Sequence, residues 1–116
     1  MAKLALRMLL VSVDSVAAAL RFYQEGLGLQ LKFQDGDHYA ALDAGPVTVA
    51  LATNDEHPVP GQTAISFKTD DVTMAVEQLV SAGAEVISPI TYGAHEVRAA
   101  LRSPTGMALV VYAPTP

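Results

Sequence analysis

The chain contains no cysteine and no tryptophan, and only 16% of its 116 residues are charged. Without cysteine there can be no disulfide framework, no thiolate zinc site and no thiol nucleophile. Basic residues are also scarce: seven Lys and Arg stand against twelve Asp and Glu, for a formal net charge of -5. This excess of acidic residues argues against sequence-independent binding to the phosphate backbone of a nucleic acid. We therefore expect no nucleic-acid partner.

Long apolar runs are absent as well. The most apolar stretch, MAKLALRMLLVSV, is interrupted by Arg7 and is followed by Asp14. It therefore falls short of the ~20 uncharged residues that a membrane span requires, and the arginine argues against a signal peptide. We expect a cytoplasmic protein without a membrane partner.

The rest of the composition is that of one compact domain, with 51% hydrophobic residues, 8 Gly and 7 Pro. The first half of the chain predicts a strand over 4–11 and then a helix capped by Asp14 or Ser15 and closed by Gly26. Turn signals separate three further strands, predicted over 29–34, 38–43 and 47–53.

The second half repeats this pattern after NDEHPVPG, which is predicted to be a linker over 54–61. Asp71 and Gly83 follow Asp14 and Gly26 at the same offset of 57 residues. Strands are predicted over 64–69, 85–88, 96–102 and 107–113. The fold class is therefore α+β, with two βαβββ modules, 1–53 and 62–116, whose curved mixed sheets surround a cleft.

Three segments carry a resemblance to a known family: DSVAAALRFYQEGLGL, DDVTMAVEQLVSAGAEV and YGAHEVRAALRSPTGMALVVYAP. They resemble the vicinal-oxygen-chelate superfamily, which includes glyoxalase I, extradiol dioxygenases, fosfomycin-modifying transferases and bleomycin-resistance proteins. The resemblance covers nearly the whole chain, and the Phe22-Tyr23 pair before Leu27-Gly28-Leu29 is its most specific part. It implies the same fold and cleft. Some members hold a divalent metal there, and others bind only a ligand.

The resemblance also indicates where metal ligands would stand in this chain. Those positions hold Arg7, Ala50, Ala64 and Val110. None offers the lone pairs that a divalent ion needs, and an arginine would repel it. We therefore expect no metal and no cofactor, as in the bleomycin-resistance branch. A non-standard site built from His38, His95 and Glu96 is the alternative.

Period-two alternation assigns one face of each strand to the helices and the other to the cleft. The cleft faces hold mostly small side chains, among them Ala50, Ser66 and Val110. A close-packed protein covers such a surface with a ligand or a partner subunit. Tyr39 is expected on the cleft face, where its ring can stack on a flat ligand.

Arg7 has apolar neighbours along its strand and so requires a partner. The alternatives are an acidic residue of the same or a neighbouring subunit, or an anionic or carbonyl-bearing ligand that Arg7 orients with Arg98. His95 and Glu96, beside Tyr92, are expected in one wall of the cleft. The predicted ligand-binding residues are Arg7, Tyr39, Ala50, Ser66, Tyr92, His95, Glu96, Arg98 and Val110. We expect His38 and His57 to be exposed, and Phe22 and Tyr23 to lie in the core.

No catalytic residue is predicted, because the chain lacks a GxSxG elbow, a phosphate-binding glycine loop and a GxGxxG turn. The favoured hypothesis is a metal-free homodimer that binds and sequesters a drug-like or antibiotic-like small molecule. The first alternative is a lyase or isomerase of the same fold with an absent or displaced metal, using His38, His95 or Glu96 as acid or base. The second is a structural or regulatory dimer.

Overall fold

The computed structural model describes all 116 residues, and its elements follow the predicted order. The elements are β1 (Leu4–Ser12), α1 (Val16–Arg21), a π-helical turn (Phe22–Gly26), β2 (Gln30–Asp35), β3 (Tyr39–Asp43), β4 (Thr48–Ala52), β5 (Ala64–Thr69), α2 (Val72–Ser81), β6 (Glu85–Tyr92), β7 (Glu96–Arg102) and β8 (Ala108–Pro114). Parallel and antiparallel pairs both occur among the eight strands, so the predicted α+β class is confirmed. Neither helix has the length and apolar character needed to cross a bilayer.

The chain forms two compact units, which are named here by their position. The N-terminal unit is Met8–Thr63, and the C-terminal unit is Ala64–Pro116 together with Met1–Arg7. The first residues join the C-terminal unit through side chains of that unit. The amide of Gln78 bonds the Ala2 N–H and C=O at 2.9 and 3.4 Å, and Asp70 accepts the Lys3 N–H at 3.2 Å. The division into modules 1–53 and 62–116 stays a prediction.

In the N-terminal unit the strand order is β2-β3-β4-β1, with β1 parallel to β4. Ser15, one of the two predicted caps, begins α1 by accepting the Ala18 N–H at 3.2 Å. The helix packs on a cluster of apolar strand residues, as predicted. The cluster comprises Val16, Leu20, Ala40, Leu42, Val49 and Leu51.

The end of α1 differs from the prediction of one regular helix up to Gly26. The α-helical part ends at Arg21, and a π-helical turn follows in which the Leu27 N–H bonds the Phe22 carbonyl at 3.2 Å. The assignment of Phe22 to the core is wrong, because its side chain is 61% exposed. It follows the buried Leu20 by two residues and therefore lies about 200° around the helix from it. Tyr23 packs against the core cluster.

The segment between β4 and β5 forms turns rather than regular structure and is held tightly. His57, predicted to be exposed, is 3% exposed, so that prediction is wrong. Its Nδ1 accepts the Val59 N–H at 2.9 Å, and its Nε2 lies 3.0 Å from the Leu10 carbonyl oxygen. Since Nδ1 is an acceptor, the ring proton resides on Nε2 and is donated to Leu10. The imidazole thus ties this segment to β1.

In the C-terminal unit the strand order is β1-β5-β8-β7-β6, with β5 parallel to β8. Asp71 caps α2 as predicted, its Oδ1 accepting the Met74 N–H at 3.0 Å. The apolar stripe of α2 packs on one face of the sheet, again as predicted. The core cluster of this unit comprises Ala2, Val72, Ala75, Val97, Ala99, Leu101 and Val111.

Strand β6 is longer than predicted, reaching Tyr92 rather than residue 88. Its pairing with β7 shifts register twice, between Val86 and Ser88 and between Ser88 and Thr91. Pro89 lies in the second irregularity, where it has no N–H to give to the ladder. The proline therefore interrupts the pairing without ending the strand, which explains why the sequence pattern stops early.

Candidate functional site

The sheet face of the C-terminal unit that points away from α2 carries a row of polar side chains. Arg98 on β7 is paired with Tyr112 on β8, and Tyr112 is paired with Lys68 on β5. Residues directly opposite one another in a ladder project from the same face. Val111 and Phe67 alternate with them and pack toward α2. The three polar side chains therefore lie side by side on the predicted cleft face.

The same face has an apolar part made of small side chains. Ala64, Ala100 and Ala108 are buried there, and the predicted ligand-binding residues Ser66 and Val110 are each 2% exposed. Ser66 and Val110 are partners in the β5–β8 ladder, so they are neighbours. Their position on this face agrees with the alternation in the sequence. Their contact with a ligand stays a prediction.

A pocket of about 420 Å³ opens where the start of β1 meets the ends of β5 and β8. Its lining combines cationic, polar and apolar residues, namely Lys3, Leu4, Ala5, Arg7, Lys68, Thr69, Asp70 and Pro114. All of them belong to the C-terminal unit. The volume lies within the range of small-molecule sites in proteins. The pocket is therefore large enough for a compound of one or two rings.

Arg7 reaches this pocket because of the alternation along β1. Leu4 packs with the core under α2, so Lys3, Ala5 and Arg7 project from the opposite face. Arg7 is exposed rather than enclosed by apolar side chains, which corrects the expectation of a guanidinium withdrawn from water. The ion pairs Arg21–Glu25 and His38–Asp55 do not include it. Both alternatives for its partner, an acidic residue or a ligand, stay predictions.

Two groups on this polar face, the Glu96 carboxyl and the Tyr112 phenol, have raised pKa values. Burial raises the pKa of the Glu96 carboxyl, against the opposing effect of the positive charges of Arg98 and His95. Burial also raises the pKa of the Tyr112 phenol; the charge of Glu96 raises it further, and that of Arg7 lowers it. Glu96 is paired with Pro114, which lines the pocket. A partly buried carboxyl group therefore lies beside the pocket wall.

Tyr92 and His95 flank the turn between β6 and β7. Tyr92 is 77% exposed, and His95 is exposed as well. The turn is held by two backbone hydrogen bonds, from Gly93 N–H to the Glu96 carbonyl at 2.8 Å and from Thr115 N–H to the His95 carbonyl at 3.1 Å. Both predicted residues are therefore accessible, while the backbone that carries them is fixed.

Two predicted site residues belong to the N-terminal unit. The pairs Tyr39–Ala52 and Ala41–Ala50 put Tyr39 and Ala50 on the same face, away from α1. Ala50 is fully buried, whereas Tyr39 is half-buried with its ring centroid 6.3 Å from that of Phe33. The tyrosine is on the face that the sequence predicts, next to a second aromatic ring.

Residues 5–111 match the family model of the Glyoxalase/Bleomycin resistance protein/Dioxygenase superfamily. The chain belongs to this superfamily. A protein of Mycolicibacterium smegmatis (strain ATCC 700084 / mc(2)155) is 43% identical over 108 residues, which are 93% of this chain and 92% of that protein.

Several solved structures share the fold. The chain is similar to an NAD-dependent benzaldehyde dehydrogenase structure from Legionella pneumophila, with a TM-score of 0.78, 18% identity, and coverage of 93% of this chain and 98% of that one. It is also similar to a glyoxalase/bleomycin resistance protein/dioxygenase superfamily member from Vibrio splendidus 12B01, with a TM-score of 0.70, 13% identity, and coverage of 97% and 99%. At these identities the likeness concerns the fold alone.

The residues of this superfamily member do not fit a divalent metal at the positions that the family resemblance implies. Ala50, Ala64 and Val110 end in carbon and are at most 2% exposed, and Arg7 is a permanent cation. The chain also brings together no group of three His, Asp or Glu side chains that could hold an ion. The alternative site of His38, His95 and Glu96 takes residues from both units and stays a prediction. His38 Nδ1 instead lies 2.9 Å from Asp55 Oδ2, exposed to solvent as expected.

Several residues that line the pocket or lie on the polar face beside it were not predicted from the sequence. Lys68 and Tyr112 both alternate with core residues, so the period-two pattern could have added them to the candidate set. Lys3 precedes the predicted first strand, and Thr69, Asp70 and Pro114 lie at or beyond the ends of strands. Their positions depend on which strand ends meet, and no local pattern carries that information.

Proposed function

We propose that this superfamily member is a metal-free small-molecule-binding protein that sequesters a drug-like or antibiotic-like compound. One observation carries the proposal: Arg7, which occupies a position where the family resemblance implies a metal ligand, lines a pocket of about 420 Å³. A guanidinium cannot coordinate a metal, but it can donate two parallel hydrogen bonds to a ligand oxygen pair. The substitution that removes metal chemistry therefore supplies a ligand-binding group.

The character of the pocket supports a binding role. Leu4, Ala5 and Pro114 provide apolar wall, while a small number of polar groups can fix the orientation of a ligand. A compound that is flat and partly polar matches this combination. Binding alone is sufficient for sequestration, because a compound held by the protein is unavailable to its target.

A second candidate function is a lyase or isomerase that uses Glu96 as acid or base. The raised pKa of this carboxyl is typical of groups that transfer protons. We favour binding because Glu96 is absent from the residues that line the pocket. Incubating a bound compound with the protein and analysing it by mass spectrometry separates the two candidates. Sequestration returns the compound unchanged, whereas an enzyme converts it and loses that activity in Glu96→Gln.

The test of the proposal is a thermal-shift screen of small molecules, run with EDTA and again with added nickel, zinc or manganese. A ligand that prefers the folded state raises its stability. We expect at least one compound to raise the Tm in EDTA, with the shift reduced in Arg7→Ala and retained in the control variant Arg21→Ala. Arg21 is an exposed arginine of the N-terminal unit. Stabilisation that requires a metal, or one tightly bound ion per purified chain, would contradict the proposal.

The homodimer, the cytoplasmic location and a role in antibiotic resistance stay predictions. Size-exclusion chromatography with light scattering measures the mass in solution. Expressing the chain in cells challenged with the compound found in the screen tests resistance, with Arg7→Ala as the matched control. Equal protection by the wild-type chain and by Arg7→Ala would count against sequestration in this pocket.

A further inference from the structure

Positive charge is concentrated around the pocket of the C-terminal unit. Of the seven Lys and Arg residues in the chain, three line it: Lys3, Arg7 and Lys68. Only one of the twelve acidic residues, Asp70, does so. In a chain with a net charge of -5, this distribution makes the pocket a local region of the opposite sign.

The three cations are not neutralised by ion pairs. The salt bridges Arg21–Glu25 and His38–Asp55 both lie in the N-terminal unit and involve none of the three. Asp70 is engaged elsewhere, since its Oδ1 accepts the Lys3 backbone N–H at 3.2 Å and the Thr69 hydroxyl at 3.4 Å. The side chains of Lys3, Arg7 and Lys68 are therefore available to a ligand, and all three are exposed.

We infer that the compound bound in this pocket is a small organic anion, with a carboxylate held by Arg7 and the lysines and an apolar body placed against Leu4, Ala5 and Pro114. This inference rests on the proposed function and specifies its ligand class. A planar guanidinium matches the two oxygens of a carboxylate, and the lysines add charge without constraining direction. A cationic drug would be repelled at the same place. The net negative charge of the whole chain would suggest a cationic ligand, whereas the charges that line the pocket indicate an anionic one.

Three probes of nearly equal shape test the sign of the ligand charge: 2-naphthoate, its neutral analogue 2-naphthamide and the cation 2-naphthylmethylammonium. Each is titrated into the ¹⁵N-labelled full chain, and binding is followed by chemical-shift changes of the backbone amides. We expect naphthoate to bind at least about tenfold more tightly than the amide, and the cation to bind more weakly than either. The largest changes should occur at Arg7, Lys68 and Asp70.

Charge-removing variants with matched controls identify the groups responsible. Arg7→Gln and Lys68→Gln each remove a pocket charge while retaining a polar side chain. Arg21→Gln and Lys32→Gln remove the same kinds of charge from the N-terminal unit. We expect each pocket variant to weaken naphthoate binding by about fivefold or more, as loss of a charge-assisted hydrogen bond does. Naphthamide binding should stay within about twofold, as should naphthoate binding to both controls.

Each contrary outcome identifies what has failed. If the amide or the cation binds in the pocket as tightly as naphthoate, the anion preference is overturned while a binding function stands. If the control variants weaken naphthoate as much as the pocket variants do, net charge is responsible and the inference is overturned. If naphthoate does not bind at about 10 mM, where even a millimolar complex forms, the inference is likewise overturned. Failure of the broad screen to find any ligand would overturn the proposed function as well.

Discussion

The carboxyl group of Glu96 lies close enough to Tyr112 for its negative charge to raise the pKa of the phenol. Burial is the larger cause of that rise, and the positive charge of Arg7 acts in the opposite direction. The three residues belong to β7, β8 and β1 of the C-terminal unit. Removing the charge of Glu96 or of Arg7 should therefore change the titration of Tyr112.

The linkage can be measured by ultraviolet titration of the four tyrosines, because the chain has no tryptophan to obscure tyrosinate absorbance. We expect Tyr112→Phe to remove from the titration a phenol whose pKa lies above the ordinary value. Glu96→Gln should lower the pKa of Tyr112 by removing a negative charge, and Arg7→Gln should raise it by removing a positive one. Titration curves that coincide for wild type, Glu96→Gln and Arg7→Gln would contradict the proximity of these groups.

Glu96 also affects how stability depends on pH. Its pKa in the folded state lies above the ordinary value of 4.5, so the folded state binds the proton more tightly than the unfolded state does. Well below pH 4.5 the group is neutral in both states and has no such effect, whereas ionisation at higher pH opposes folding. We expect Glu96→Gln to raise the Tm at pH 7 by roughly 1–3 °C, a modest effect because water still reaches the group. Near pH 3 the Tm difference between Glu96→Gln and wild type should vanish.

The control for this experiment is Glu77→Gln, which changes an exposed glutamate on α2. Its Tm difference from wild type should be small at both pH values. A Glu96→Gln variant that is less stable than wild type at pH 7 would show that the carboxylate is favourable there. The opposing charges of Arg98 and His95 would then outweigh the cost of burial.

His57 is expected to matter for stability although it lies outside the candidate site. Replacing it with alanine removes hydrogen bonds to Leu10 and Val59 in a buried location, which costs about 2–4 kcal/mol in the free energy of unfolding. His38→Ala is the control, since that ring is exposed and its pairing with Asp55 is screened by water, so its loss should cost much less than that of His57. Urea denaturation measures the free energy of unfolding of both variants. Equal losses of that free energy in His57→Ala and His38→Ala would argue against the buried position of His57.

Phe22 provides a test of the π-helical turn. Because its side chain is exposed, Phe22→Ala should lower the free energy of unfolding by less than about 1 kcal/mol. Leu20→Ala, which empties a position in the core cluster, should cost about 2–4 kcal/mol. Urea denaturation again gives both values. A larger loss at Phe22 than at Leu20 would mean that the regular helix predicted from sequence is the correct one.

Much of the fold could be predicted from the sequence because it depends on local rules. The cap at Asp71 and the apolar stripe beginning at Val72 follow from helix geometry alone. The alternation that buries Val97, Ala99 and Leu101 follows from the period of a strand. The repeat at an offset of 57 residues then gives the order of the elements in both halves.

The remaining features depend on contacts between distant parts of the chain. His57 is buried because Leu10, 47 residues earlier, presents a carbonyl to its ring. Lys3 lines the pocket because Asp70, 67 residues later, accepts its backbone N–H. Composition and spacing contain no signal for such pairings. The polar face was predicted in part, since Arg98 and Glu96 were among the predicted ligand-binding residues, whereas Lys68, which alternates with the core residue Phe67, was not.

The bonding of His57 has a spectroscopic consequence. A ring that accepts a hydrogen bond at one nitrogen and donates at the other is held as a single neutral tautomer. Its Nε2 proton, shielded from solvent, should exchange slowly and give a separate downfield resonance in proton spectra. Opening of the segment would break the hydrogen bond to Leu10 and expose this proton to exchange with water. Disappearance of that resonance as urea is added therefore offers a direct reporter of local opening.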